Sequence, residues 1–429
     1  MVEMPGTRRS RELYDKALRL IPGGVNSPVR AFKPYPVFVA RARGSRIYDV
    51  DGNSYIDYVM GYGANLFGHS PEWLVKRISE ILWDGVLYGM PTEAEVILAE
   101  KLVKMIPNIE MVRLVNTGTE ATMSAIRLAR GYTEREYIVK FRGCFHGSHD
   151  YVLVSPGSGA AGIPSHKGVL RDAAAKTLVT EYNDPEGLEK VMRIHGDSVA
   201  AIILEPVAAN MGLVPPDTEF LKTARELCNT YGCLLIFDEI VTGFRIAPGG
   251  AQEYFGIKAD LVTLGKALGS GFPIAAYAGG RRIMELIAPS GPVYQAGTYS
   301  GNPVSVAAAI ATLDVIEREG SKIYSRLRKI ASEIEEEAGR VISGREINAH
   351  VNRFEGMLQI FMTRGPVRNY SDAVKSNTKL YSEFHLELMK RGVFIPPSQL
   401  EAWFPSYAHT DEDLLVTIEA VREALGRIS

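Results

Sequence analysis

"MVRLVNTGTEATMSAIRLARG", Met111 to Gly131, joins three local patterns end to end. A short β-rich run, Met111–Val115, is followed by a Gly/Thr turn and then by an amphipathic helical stretch. A strand that passes directly into a helix is the repeating unit of a parallel sheet, because parallel neighbours need a crossover connection. Further apolar runs follow with the same logic: "EYIVKF" (136–141), "VAAIILEPV" (199–207), "CLLIFDEI" (233–240) and "ADLVTLGK" (259–266), separated by helical or loop stretches. Their near-continuous hydrophobicity is that of strands buried on both faces. The alternation predicts an α/β fold: a large, mostly parallel sheet covered by helices, over about residues 70–315.

On either side of this region the pattern changes. Thr92 with Glu95 forms a capping box for a helix to about Met105. Residues 1–69 read as an N-terminal arm: a helix over Arg11–Ile21, the proline-rich loop "IPGGVNSPVRAFKPYP" (21–36), and extended runs around Phe38–Ala40 and Arg46–Asp49 turned at Asp51-Gly52. From about 316 to 429, charged helices and the runs "MLQIFM" (357–362) and "GVFIPP" (392–397) predict a smaller α+β domain.

Among 429 residues, 48 basic side chains face 50 acidic ones, which gives no basic surface for nucleic acid and no polybasic membrane anchor. No apolar run reaches membrane-spanning length, and the start lacks a signal-peptide core. Cys144, Cys228 and Cys233 are scattered without a CxxC pair, so no structural metal site is expected, and a reducing cytoplasm is. "GSGAAG" (157–162) matches a dinucleotide fingerprint after the β-like "YVLVS" (151–155). That fingerprint needs a helix to start inside it, and Pro164 and Gly168 oppose one. The stretch from about Ser155 to Gly168 reads instead as a loop with the composition of a lid.

Active sites of parallel sheets lie at the carboxyl ends of strands. Those ends carry Asn116–Glu120, Phe145-His146, Glu205-Pro206, Asp238-Glu239 and Lys266. Gly118 and Thr119 open a helix whose free amides suit a phosphate, although a plain helix cap uses the same residues. Asp238 closes an apolar run, where an anion is costly unless it meets a cation; a protonated pyridine nitrogen or a structural ion pair would serve. Lys266 closes another, where a confined ammonium is destabilised and the amine is freed for Schiff-base chemistry, unless it is merely solvated. Phosphate turn, acid and lysine on successive strand ends of one sheet are the informative combination.

"NTGTEA", "EPV", "FDEIVTGFR", "GKALGSGFP" and "GTYSGNPVSVAAA", in this order and spacing, resemble the class III aminotransferase family of fold-type I pyridoxal-phosphate enzymes. The resemblance implies that Lys266 forms the Schiff base and moves protons, that Asp238 pairs with the pyridinium nitrogen, and that Gly118 and Thr119 hold the phosphate. It implies Phe145 stacked on one face of the ring, Ile240 on the other, His146 and Asn210 beside it, and Thr298 reaching the phosphate in a neighbouring subunit. A homodimer with shared sites follows. "GGVNSPVRAF" with "PPSQLEAWFPSYAHTDED" is similar to the aminomutase branch of the family. That branch exchanges an amine between two carbons of glutamate-1-semialdehyde, using pyridoxal and pyridoxamine phosphate in turn, to give 5-aminolevulinate for tetrapyrroles. This implies Ser27 and Arg30 at the substrate carboxylate, with Tyr62 and Glu401 nearby, and glutamyl-tRNA reductase as a channelling partner. The alternatives are an ω-aminotransferase with a 2-oxo acid acceptor and a non-catalytic binding protein on the same fold. Three residues depart from the family pattern: Tyr62 stands for a tryptophan, Phe145 for a tyrosine, and Ser148 for a histidine.

Overall fold

The computed structural model describes residues 6–154 and 167–428. The Met111–Val115 run is a strand, and Gly118–Thr133 is the helix that follows it. The seven-stranded sheet runs in the order Met111–Val115, Ala275–Gly279, Leu261–Leu264, Leu234–Glu239, Val199–Leu204, Tyr137–Phe141, Thr177–Thr180. All of its pairings are parallel except those of Ala275–Gly279, which runs antiparallel to both neighbours. Val199–Leu204 and Leu234–Glu239 are buried at every position, as continuous apolar runs between two helical layers should be. Burial of each large aliphatic side chain here contributes about 1.5–3 kcal/mol.

The capping box forms as the sequence indicates. Thr92 Oγ1 accepts from Glu95 N, Glu95 Oε1 accepts from Thr92 N at 2.8 Å, and the helix spans Glu93–Met105. A 42-residue helix, Pro303–Gly344, starts at an Asn302 cap with proline in its first turn. Its first half packs Val306, Ala309 and Leu313 on the large sheet's core, and its second half packs Ile330, Ile334 and Ala338 in a C-terminal core. This helix runs through position 315.

Several expectations are corrected. The first helix is Arg8–Ala17, not Arg11–Ile21, because the chain turns into a three-residue helix at Pro22–Gly24. Asp51-Gly52 does turn the chain, but into a further strand, Ser54–Asp57, and the hairpin before it turns at Gly44-Ser45 between Val39–Arg43 and Arg46–Asp49. "YVLVS" forms no strand over its described residues 151–154. The "GSGAAG" stretch lies outside the described residues, as does nearly all of the lid expected over Ser155–Gly168. "GVFIPP" yields only the two-residue strand Val393–Phe394. That strand does not join "MLQIFM", which pairs with His350–Phe354; it lies parallel to Ser54–Asp57 in the N-terminal sheet. Tyr58 N donates to Phe394 O (2.8 Å) and Phe404 N donates to Tyr58 O (2.7 Å). These long-range bonds set the segment around Glu401 beside the turn around Tyr62.

Candidate active site

At the carboxyl ends of the central strands lies a cleft of about 880 Å³. Gly118, Thr119, Phe145, His146, Asn210, Asp238, Ile240, Lys266, Ser27, Arg30, Tyr62 and Glu401 all line it. Thr298 does not; it is exposed, in the segment leading to the long helix.

Asp238 is buried at the end of Leu234–Glu239 and held on both oxygens. Its Oδ2 meets His146 Nδ1 at 2.6 Å, and its Oδ1 accepts from Thr263 Oγ1 (3.1 Å) and from Ile240 N (3.2 Å). His146 is itself buried, and its Nε2 has no partner among the described residues. Thr122 Oγ1, on the first turns of the Gly118–Thr133 helix, donates to His146 O at 2.5 Å and so docks this loop on the helix. Thr117 caps that helix by accepting from Glu120 N. The amides of Gly118 and Thr119 have no intrahelical acceptor, and they stand at the positive end of the helix dipole. A Cβ at position 118 would press on Ile240 at 3.2 Å, and one at 147 would meet Thr119 at 2.7 Å. Glycine therefore keeps the backbone open to a bulky anion.

Lys266 follows the strand Leu261–Leu264, with φ of 43°. A left-handed lysine costs on the order of 1–3 kcal/mol and persists only where the surroundings enforce it. Burial pulls its ammonium pKa down, against the opposing fields of Glu401, Glu205 and Asp238. An amine poised nearer neutrality is what Schiff-base and proton-transfer chemistry need.

Glu205 has a role that strand-end position alone did not reveal. Its Oε1 accepts from Phe145 N (2.8 Å), and its Oε2 accepts from Ala209 N and Asn210 Nδ2 (both 2.9 Å). Burial raises its pKa, with the Asp238 charge adding to the rise and His146 opposing it. The carboxylate thus organises two cleft residues on separate loops. Arg245, in the "FDEIVTGFR" stretch, is fully buried; it donates to Gly63 O (2.8 Å) and Pro405 O (3.1 Å), and burial lowers its pKa to about 10. The signal for both was present, a charged residue inside or ending an apolar run, but Phe145 lies 60 positions from Glu205, and Gly63 and Pro405 lie 182 and 160 from Arg245.

On the arm, Ser27 precedes a three-residue turn, Pro28–Arg30, and Arg30 has no ion-pair partner among the described residues. Tyr62 Oη donates to Val29 O at 2.8 Å, so the residue standing for a tryptophan holds the arm. Ser148, standing for a histidine, donates its backbone amide to Thr119 Oγ1 at 3.2 Å. No group of side chains with metal-ligand spacing occurs among the described residues, and no helix there is long and apolar enough to cross a membrane.

Comparison with known proteins gives the family. The family model "Aminotransferase class-III" matches residues 29–425. A protein from Hyperthermus butylicus named glutamate-1-semialdehyde 2,1-aminomutase is 52% identical over 428 residues, covering 99% of this chain and 100% of its own. One of the same name from Methanopyrus kandleri is 50% identical over 424 residues, covering 98% of each. Among solved structures, an ω-transaminase from Sphaerobacter thermophilus superposes with a TM-score of 0.91 at 32% identity, covering 99% of this chain and 98% of that one. A Pseudomonas aeruginosa glutamate-1-semialdehyde aminomutase in complex with PMP gives 0.88 at 26% identity, covering 98% and 95%. With the family model spanning nearly the whole chain and relatives half identical to it from end to end, the protein belongs to the class-III aminotransferase family.

Proposed function

We propose that the chain converts glutamate-1-semialdehyde to 5-aminolevulinate by exchanging the amine within one substrate. The observation that carries this reading is one cleft lined both by the Lys266, Asp238 and Gly118 set and by Ser27, Arg30 and Glu401 from the two chain ends. Relatives about half identical over the full length bear that enzyme's name. The fold is common to this activity and to ω-aminotransferases, since both kinds of structure superpose well, so the residues of the cleft carry the distinction.

The residues fit pyridoxal 5'-phosphate. The buried Asp238 carboxylate suits a protonated ring nitrogen, the orphaned His146 Nε2 has donor or acceptor capacity to spare, and the Gly118–Thr119 turn suits a phosphate. When bound, the cofactor supplies an electron-withdrawing ring, cycling between pyridoxal and pyridoxamine forms. Asp238 keeps that electron demand in place, steadied by His146 and Thr263. Phe145 and Ile240 line the two sides of the ring slot, and Asn210, fixed by Glu205, orients the edge. Lys266 would hold the cofactor and move protons between it and the substrate carbons, a role that for a positioned general acid–base contributes about 10²–10⁴-fold. Ser27 and Arg30 take the substrate carboxylate, with Tyr62 and Glu401 beside them.

Thr298 would complete the phosphate site of a second copy, because it lies outside its own chain's cleft. Tyr294 and Tyr299, which flank Thr298 in the chain, are exposed, and so are Trp83 and Met90; these apolar side chains support a homodimer. By family analogy, glutamyl-tRNA reductase delivers the substrate. Three buried free cysteines suit a reducing cytoplasm. The test is to supply glutamate-1-semialdehyde with no 2-oxo acid. Formation of 5-aminolevulinate at catalytic turnover supports intramolecular exchange, whereas dependence on an added acceptor would favour the ω-aminotransferase.

A further inference from the structure

Between the cleft and the arm runs one continuous set of contacts. Met60, Gly61, Tyr62 and Gly63 all have left-handed backbones, with φ of 46°, 61°, 56° and 92°. A turn wound this way holds only if it is pinned. Asp57 accepts from Val59 N and Met60 N on one side, and the buried Arg245 donates to Gly63 O on the other. Arg245 also donates to Pro405 O, and its guanidinium lies 5.1 Å from the Phe404 ring centre. A Cβ on Gly63 would meet that ring at 2.9 Å, so the turn and the Glu401–Pro405 segment are closely packed.

From this pinned turn the Tyr62 hydroxyl reaches Val29 O, the middle residue of Pro28–Arg30. Burial raises the hydroxyl's pKa, with Glu401's charge adding to the rise, so it remains a donor at neutral pH. Beyond Arg30, Phe32 packs edge-on against His385 at 5.0 Å. Arg30 itself is exposed and makes no ion pair among the described residues. Its backbone is therefore fixed on both sides while its guanidinium stays available.

We propose that Tyr62 is a positioning residue: its hydroxyl fastens the arm to the Arg245-pinned turn and so pre-sets Arg30 for a substrate carboxylate. The inference rests on the reading of Arg30 as the carboxylate-capturing residue. It assigns to Tyr62 an action through Arg30 rather than a contact with the reacting carbons. Preorganisation of this kind shows in ligand affinity, because a loose arm must be ordered when the carboxylate binds.

The experiment is a double-mutant cycle on the cofactor-loaded enzyme. It measures the dissociation constants of pentanoate, an unreactive five-carbon acid, and of the neutral pentanamide, in wild type, Tyr62→Phe, Arg30→Met and the double variant. Loss of one hydrogen bond predicts about two- to tenfold weaker pentanoate binding in Tyr62→Phe. Pentanamide binding should be unchanged, and Tyr62→Phe should add nothing once Arg30 is Met. With substrate, KM should rise by more than kcat falls, and the visible spectrum of the loaded protein should be unaltered. Equal losses in the Arg30→Met background, equal losses for pentanamide, or no loss of pentanoate would each overturn the relay. If Arg30→Met alone leaves pentanoate affinity intact, carboxylate capture by Arg30 fails, and the relay falls with it.

Discussion

Lys266 shows how much one residue depends on its surroundings. Its left-handed backbone and lowered pKa both come from confinement at the end of Leu261–Leu264. Lys266→Ala should still take up pyridoxal phosphate, through Asp238 and the Gly118–Thr119 turn, but without a covalent link. Borohydride reduction followed by mass spectrometry should then find no cofactor on the chain, and turnover should drop by about 10²–10⁴-fold. Label retained at another lysine would show that Lys266 is not the attachment point. At this scale the sequence was informative. Asp238, Lys266 and the Gly118–Thr119 turn were legible as strand-end positions because each follows an apolar run, which locates it at the sheet's rim. The Tyr62–Val29 bond and the Glu205–Phe145 contact were not legible, since each needs two loops that meet only in the folded chain.

Elements place these residues through their ends, and Glu205 is where several ends converge. Closing Val199–Leu204, it accepts the backbone amides of Phe145 and Ala209 and the side-chain amide of Asn210. Glu205→Gln keeps the volume but turns one acceptor into a donor facing donors. A mispaired buried group costs about 1–3 kcal/mol, so cofactor retention on dialysis should weaken by about five- to 150-fold. Unchanged retention would remove Glu205 from the support of the site. The capping box at Thr92 is a purely local device, and it was legible for that reason: its partners are three residues apart. The strand Val393–Phe394 was misread because a two-residue strand carries no period, and its partner Ser54–Asp57 is over three hundred positions away.

Across the whole molecule, buried histidines set an acid limit. Burial lowers the pKa of His149, His385 and His409 from 6.5 to about 4. Between those values the unfolded chain binds protons that the folded chain refuses, so stability falls as pH drops from 6.5 towards 4. Glu205 and Glu239, raised by burial, act in the opposite sense, so a variant is needed to isolate one histidine. His385 is packed edge-on between Phe32 and Phe394. His385→Phe should remove up to about 3 kcal/mol of acid destabilisation, read as a converging difference in urea midpoints as pH is raised. Parallel pH profiles would contradict this. Sharing of the site between subunits is tested by mixing Thr298→Ala with Lys266→Ala protomers. One hybrid site then carries both defects and the other neither, so recovered activity above both parents is expected. Confirmed heterodimers without recovery would exclude a Thr298 contribution across the interface.

The sequence by itself determined the α/β alternation, a large and mostly parallel sheet, and the strand ends that bear Asp238 and Lys266. Hydrophobic period and turn chemistry act within a few residues, and so they can be read along the chain. It also contained the arm's prolines and Arg30, but not the part of the molecule against which they rest. Only the tertiary structure decided that the arm, the Met60–Gly63 turn and the Glu401 segment meet at one cleft. The contacts responsible are the parallel pairing of Val393–Phe394 with Ser54–Asp57 and the buried Arg245 bridging Gly63 and Pro405. Such contacts satisfy backbone groups far apart in sequence. Their partners are chosen by packing of the whole chain, which leaves no local pattern to read.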